Sequence, residues 1–173
     1  MAGLGEIGRP ESFEITLTAE PDTDLWLGPG AQALDLAAFL FREIDRVEGQ
    51  FTGNGFDLML GMPDNVRGRV RLGEEAEHYL EIRGTRGKIA LGRESSYLHR
   101  TGTQPMSIGE VYDEASTYLR MIAEFARVRW EGAQPWCSLS ELRHVHQVLA
   151  IAEARLLTET TGLTPVWSRW EAA

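Results

Sequence analysis

The sequence predicts an α+β fold: an open, mostly antiparallel β-sheet with helices packed on one face. Two patterns carry that expectation. Short segments of alternating apolar and polar residues crowd the stretch from about Ile44 to His99, and strands so closely spaced pair antiparallel, because a parallel crossover takes a dozen or more residues. Two amphipathic segments of helical period follow, long enough to cover a sheet. The 173 residues match one domain, so residues 1–173 are expected to form a single unit with its own core.

Taken in order, the chain opens on Gly3-Leu-Gly-Glu-Ile-Gly8, which spells G-x-G-x-x-G. A dinucleotide loop needs a strand feeding into it and a helix opening from it. Here Met1 and Ala2 precede the motif and Arg9-Pro10 follows, so the expectation is a flexible lead-in to a strand. Phe13-Glu-Ile-Thr-Leu-Thr18 alternates and is β-branched, giving a strand over residues 13–19. After the turn-prone Pro21–Asp24, Pro29 stands where helices favour proline, and Ala33, Leu34, Ala37, Ala38 and Leu40 define a buried helix of about three turns.

The middle block reads as strands at Val47–Phe51, Phe56–Leu60, Val66–Leu72, Tyr79–Arg83 and Lys88–Leu91, with Gly53-Asn-Gly55 and Gly84-Thr-Arg-Gly87 as turns. Arg67, Arg69 and Arg71 alternate with apolar residues and share one face, expected to be solvated. Ser107-Ile-Gly-Glu110 and Ser138-Leu-Ser-Glu141 match the capping box and open the two helical segments. Val111, Ala115, Tyr118, Leu119, Ile122, Phe125 and Ala126 carry the first apolar stripe; Leu142, Val145, Leu149, Ala152 and Leu156 carry the second. Gly132 and Gly162 mark their ends, and a last short strand is expected beyond them.

Charge and composition exclude several functions. Seventeen Lys and Arg against 26 Asp and Glu give a net charge of −9, which argues against nucleic acid and anionic membranes as partners. The single cysteine, Cys137, rules out an intrachain disulfide framework and a cysteine-based zinc site. No apolar run approaches the roughly 18 residues that span a bilayer, and a cytoplasmic protein is expected.

Order and residues together resemble the C-terminal domain of the glucose–fructose oxidoreductase, inositol dehydrogenase and rhizopine-catabolism (Gfo/Idh/MocA) family over essentially the whole length. Gly5-Glu-Ile7 entering a strand is similar to that family's domain entry, and Ala33-Leu-Asp-Leu36 to its first buried helix. Tyr79 through Leu91 resembles its strand–Gly-Thr-x-Gly–strand, and Phe125 through Val166 its closing helix–loop–helix–strand. The resemblance implies a substrate and oligomerisation domain, here without the family's nucleotide-binding Rossmann half, so NAD(P) is expected only through a Rossmann partner. It also places Gly28 and Gln32 at the Asp and His of the family's proton-transfer pair, ahead of Asp35. Glutamine exchanges no proton near neutral pH, and no histidine occurs before His78.

Three functions follow: a substrate-side binding and assembly subunit acting with a separate Rossmann-domain chain; a cofactor-independent lyase, isomerase or cyclase in the vacated cleft; or a structural or regulatory homodimer. Asp24, Tyr97 and His99 are the candidate acids and bases. Trp26, Gln32, Asp35 and Trp136 are candidate substrate contacts around the helix entry; no metal site is expected. His144 and His146, two apart on a helix, point to different sides and share no ligand, one toward the sheet and one toward solvent. A bare sheet face rich in Phe, Leu, Met and Val would need a cover, so homodimerisation through that face is expected, unless the three arginines occupy it.

Overall fold

The computed structural model describes residues 2–18, 24–52, 55–74, 78–92, 95–108, 114–134 and 139–161. They form an eight-stranded sheet and four helices: α1 (Ala2–Ile7), β1 (Pro10–Thr18), α2 (Ala31–Phe41), β2 (Arg46–Thr52), β3 (Gly55–Gly61), β4 (Arg67–Gly73), β5 (Tyr79–Gly84), β6 (Gly87–Gly92), β7 (Ser96–Arg100), β8 (Met106–Ser107), α3 (Glu114–Glu131) and α4 (Leu139–Thr161). The α+β class and the mostly antiparallel sheet agree with the sequence pattern. The spatial order is β2-β3-β4-β1-β5-β6-β7-β8. All pairs are antiparallel except β1 with β4.

That parallel seam is long enough to form because α2, β2 and β3 lie between its strands in sequence. It places β1 in the middle, with Ile15 facing Val70 on one side and Leu80 on the other. Phe13, Ile15, Val47, Phe56, Leu58, Leu60, Val70, Leu72, Leu80, Ile82, Ile89 and Leu98 share one side of the sheet and are all buried. α2 and α4 cover this side, packing on each other. The α4 residues Val145, Leu149, Ala152 and Leu156 are buried as their spacing predicts. Arg155 also donates from Nη1 to the Val47 carbonyl at 2.5 Å, tying α4 to β2.

Four details correct the sequence pattern. The Gly-rich start is a helix, α1, rather than a flexible lead-in. It ends at Gly8, whose φ of +79° suits glycine, and it docks on the β5–β6 hairpin: Arg86 Nη2 donates to the Gly5 carbonyl at 2.8 Å and Ile7 is fully buried. The helix precedes its strand, the reverse of a phosphate loop. Second, Ser107, expected as a helix cap, pairs with Tyr97 at the end of β8, while Glu110 of the same capping box lies outside the described residues. Third, among the described residues of the first stripe, Ile122 and Phe125 on α3 are about two-thirds exposed rather than packed on the sheet. Fourth, the first strand begins at Pro10, ahead of the expected start at Phe13, and residue 19 lies outside the described residues. The Ser138 cap, Gly162 and the expected last strand lie outside the described residues. Gly132, with φ +67°, ends α3 as expected.

A close fit at the seam is testable. The Phe13 ring stacks on Phe41 at 4.4 Å between centroids, and a Cβ on Gly68 would stand 2.1 Å from the Phe13 Cζ atom. Gly68→Ala should therefore cost about 2 kcal/mol by urea unfolding, the ordinary size of an overpacking strain. The double change Phe13→Leu with Gly68→Ala should cost less than the sum of the two singles.

Candidate functional site

The side chains pointing away from the helices form a charged layer, not the apolar one expected of an uncovered sheet. Strand register places Arg46, Arg67, Arg69, Arg71, Arg83 and Lys88 on this face, with Glu14, Glu48, Asp57 and Glu81 between them. The apolar strand residues went to the helix side because alternation lets only one face face the core. In a chain of net charge −9, the described open face carries more cationic than anionic groups.

Glu81 is the most deeply set of these groups, 6% exposed. It accepts from Tyr79 Oη at 2.7 Å, Arg83 Nε at 2.5 Å and Lys88 Nζ at 3.1 Å. Burial pushes its carboxyl up, yet the hydrogen bonds from Tyr79, Lys88 and Arg83 outweigh it and hold the group below its ordinary value. The same contacts act in reverse on the partners. Burial, then the bond to Glu81, pushes the Tyr79 phenol far above its ordinary value, and the bond to Glu81 raises Lys88. Lys88 also lies 5.5 Å from the Tyr97 ring centroid. Beside this cluster Arg69 grips Asp57 with two nitrogens, at 3.0 and 2.5 Å. Arg71 Nη2 lies 2.7 Å from Glu14 Oε1, an ion pair without an aligned hydrogen bond. Near the centre of the face is a cavity of about 220 Å³, lined by residues of β1, β3, β4 and β5.

The predicted site residues separate into two groups. Asp24 and Trp26 lie just ahead of α2, where Asp24 Oδ1 accepts the Trp26 backbone N–H at 2.9 Å. The Trp26 ring stacks on Phe56 at 4.5 Å and meets Phe51 edge-on. Gln32 is exposed and Asp35 half-buried on the first turns of α2, so these four share one end of one helix. Gly28, with φ −97° and ψ −107°, breaks the turn Trp26–Gly30 that leads into α2. Tyr97 and His99 stand on β7 in the open face, and His99 Nε2 lies 2.9 Å from the Thr103 carbonyl. The sheet thus lies between Trp26, packed on its covered side, and the Tyr97–His99 pair. Trp136 lies outside the described residues. His144 accepts the Ile44 backbone N–H through Nε2 at 3.0 Å while His146 is exposed, matching the expected split.

The Glu81 cluster was not singled out from sequence, although its signal was there. Alternation in Tyr79–Arg83 puts Tyr79, Glu81 and Arg83 together, and the two-residue turn Thr85–Arg86 sets Lys88 opposite Arg83. Among the described residues no group of three or more His, Cys, Asp or Glu has the arrangement of a metal site, and no helix is long and apolar enough to cross a membrane.

No family model and no curated protein matches this sequence. Solved structures do match. UDP-N-acetylglucosamine 3-dehydrogenase GnnA from Acidithiobacillus ferrooxidans superposes with a TM-score of 0.76 at 12% identity, over 88% of this chain and 55% of that one. An oxidoreductase from Agrobacterium radiobacter, solved with NAD+, L-tartaric acid and magnesium, gives 0.74 at 12% identity, over 90% and 57%. Biliverdin reductase from a Synechocystis species, solved with biliverdin and NADP+, gives 0.72 at 15%, also over 90% and 57%. The fold is that of the C-terminal part of Gfo/Idh/MocA-type oxidoreductases. The chain spans little more than half the length of these neighbours.

The Glu81 cluster sets a pH window. A carboxyl held below its unfolded value contributes stability that is present above about pH 4.5 and is lost as pH falls through the folded value; Tyr79 and Lys88, both raised, contribute stability that is lost as pH rises above about 10. Glu81→Gln should lower stability near pH 7 by about 2 kcal/mol and flatten the loss between pH 5 and 3, read from urea midpoints across pH. A variant whose acid limb matches the parent's would remove Glu81 from this role.

Proposed function

We propose that this domain is the substrate-side binding and assembly half of an oxidoreductase, acting with a Rossmann-type nucleotide domain on a separate chain. The observation that carries this reading is the extent of the structural match: nearly all of this chain against just over half of proteins named dehydrogenase, reductase or oxidoreductase. The sole G-x-G-x-x-G is a helix leading into a strand, so a nucleotide would be brought by the partner. Asp24, Trp26, Gln32 and Asp35, gathered at the start of α2, are the residues proposed to meet a small-molecule substrate. Trp26 is held rigidly by Phe56, and the carboxylates and amide supply polar contacts. Gln32 offers hydrogen bonds without acid–base capacity, so it would position substrate while proton transfer falls to another group.

The open sheet face is the proposed assembly surface, toward a second copy of this domain. Its charge makes such pairing polar. Polar interfaces built on ion pairs weaken with salt, unlike the apolar joint expected from an uncovered face of Phe and Leu. Pairing through this face should therefore fall off between about 0.05 and 0.5 M NaCl, a range over which the Debye length shrinks several-fold.

Co-purification from the native host followed by light scattering and NAD(P)H titration tests the reading. The expected result is a complex with a Rossmann-domain protein that binds nucleotide, while the isolated chain binds none. A salt-resistant homodimer that recruits no nucleotide domain, or nucleotide binding by the chain alone, would contradict it.

A further inference from the structure

Most cations on the open face already have a use. Arg46 is paired with Glu48, Arg69 with Asp57, Arg71 with Glu14, and Arg83 and Lys88 with Glu81. Arg67 alone among the described cations of this face has no hydrogen-bond or ion-pair partner. It sits across Ser12 from Arg83: β1 pairs Ser12 with Arg67 on one side and with Arg83 on the other. Two strand spacings, about 10 Å, separate the two arginines at the backbone, so side chains of arginine length can converge above Ser12. Arg83 spends Nε on Glu81, and its terminal nitrogens have no partner among the described residues. All three residues line the same cavity of about 220 Å³.

From this convergence we propose that the open face holds a small oxyanion, the carboxylate or phosphate group of a metabolite-sized ligand, between Arg67 and Arg83 with Ser12 beneath. Guanidinium groups present planar N–H forks that match an oxyanion, and the serine hydroxyl adds a third donor. Glu14 and Glu81 also line the cavity, but each is matched by a cation, Arg71 for Glu14 and Arg83 with Lys88 for Glu81. Arg69 is engaged by Asp57, so the free donors of the cavity are those of Arg67 and Arg83. The volume is below the roughly 300–1,000 Å³ of drug-sized sites, which limits the occupant to a small molecule or one end of a larger one. This site lies on the opposite side of the sheet from the Trp26 ring and does not need a nucleotide partner; because it shares the face proposed to pair with a second copy, oxyanion and second copy compete for it, and the site is open in the monomer.

The test is titration of the intact chain with inorganic phosphate and, separately, with succinate, in low-salt buffer at pH 7 and at a concentration where light scattering shows monomer. Two-dimensional NMR follows backbone amides and arginine Nε–H signals. Saturable shifts centred on Ser12, Arg67 and Arg83 with either probe support the site, and the tighter probe identifies the group preferred. Arg67→Gln should weaken that binding about tenfold, Arg67→Lys should weaken it less because charge without the fork is retained, and exposed Glu43→Gln should leave it unchanged. Arg67 is exposed, so its replacement leaves the core intact. Shifts that never saturate with either probe, or binding indifferent to Arg67→Gln, would overturn the proposal.

Discussion

The parallel pairing of β1 with β4 is the constraint on which this structure depends. It joins two antiparallel blocks, β2-β3-β4 and β5 through β8, through a single strand of nine residues. Residues Ser12 through Thr16 therefore serve both blocks at once. Phe13 and Ile15 fill the helix-covered side, while Ser12, Glu14 and Thr16 meet cations or polar groups from both neighbours on the other. Gly68 is glycine because the Phe13 ring occupies the space where its side chain would be. A one-residue slip in β1 would send Phe13 and Ile15 to the charged face and Glu14 into the core, so the register admits no alternative.

The two faces of the sheet divide the physical work. The covered side supplies the burial that stabilises the domain, since apolar area removed from water contributes about 25 cal/mol per Å². The open side is made of ion pairs whose arginines are largely exposed, and solvent-screened pairs such as Arg46 with Glu48 contribute little to stability. Their effect is on what the face recognises. A sheet edge-to-edge with arginines and carboxylates resists nonspecific apolar association and accepts partners or ligands of matching charge. Glu81 is the exception, deep enough that its three donors fix the side chains around it.

Much of this was legible in the sequence, and the failures have physical causes. Period-two alternation located β2 through β6, and the Gly84–Gly87 turn fixed the β5–β6 register. The helix α1 was missed because two glycines among its six residues oppose helix formation, and tertiary contacts override that propensity: Ile7 is buried and Arg86 holds the Gly5 carbonyl. The α3 stripe was read as a buried face, but amphipathic spacing reports only that a face is apolar, not that this domain covers it. The helix-entry group of Asp24, Trp26, Gln32 and Asp35 was legible as a cluster because its members are near in sequence. The Glu81 and Arg67 arrangements cross several strands, and they emerge only when register is known.

Amide hydrogen exchange along β1 tests the central constraint most directly. If both blocks depend on this strand, the amides of Phe13 through Leu17 that bond to β4 and β5 should be the most protected in the sheet, opening only with global unfolding, while those of β7 and β8 exchange sooner. Protection of β1 no greater than that of β7, or a β2-β3-β4 block that stays protected after β1 has opened, would show that the blocks stand independently and contradict the account.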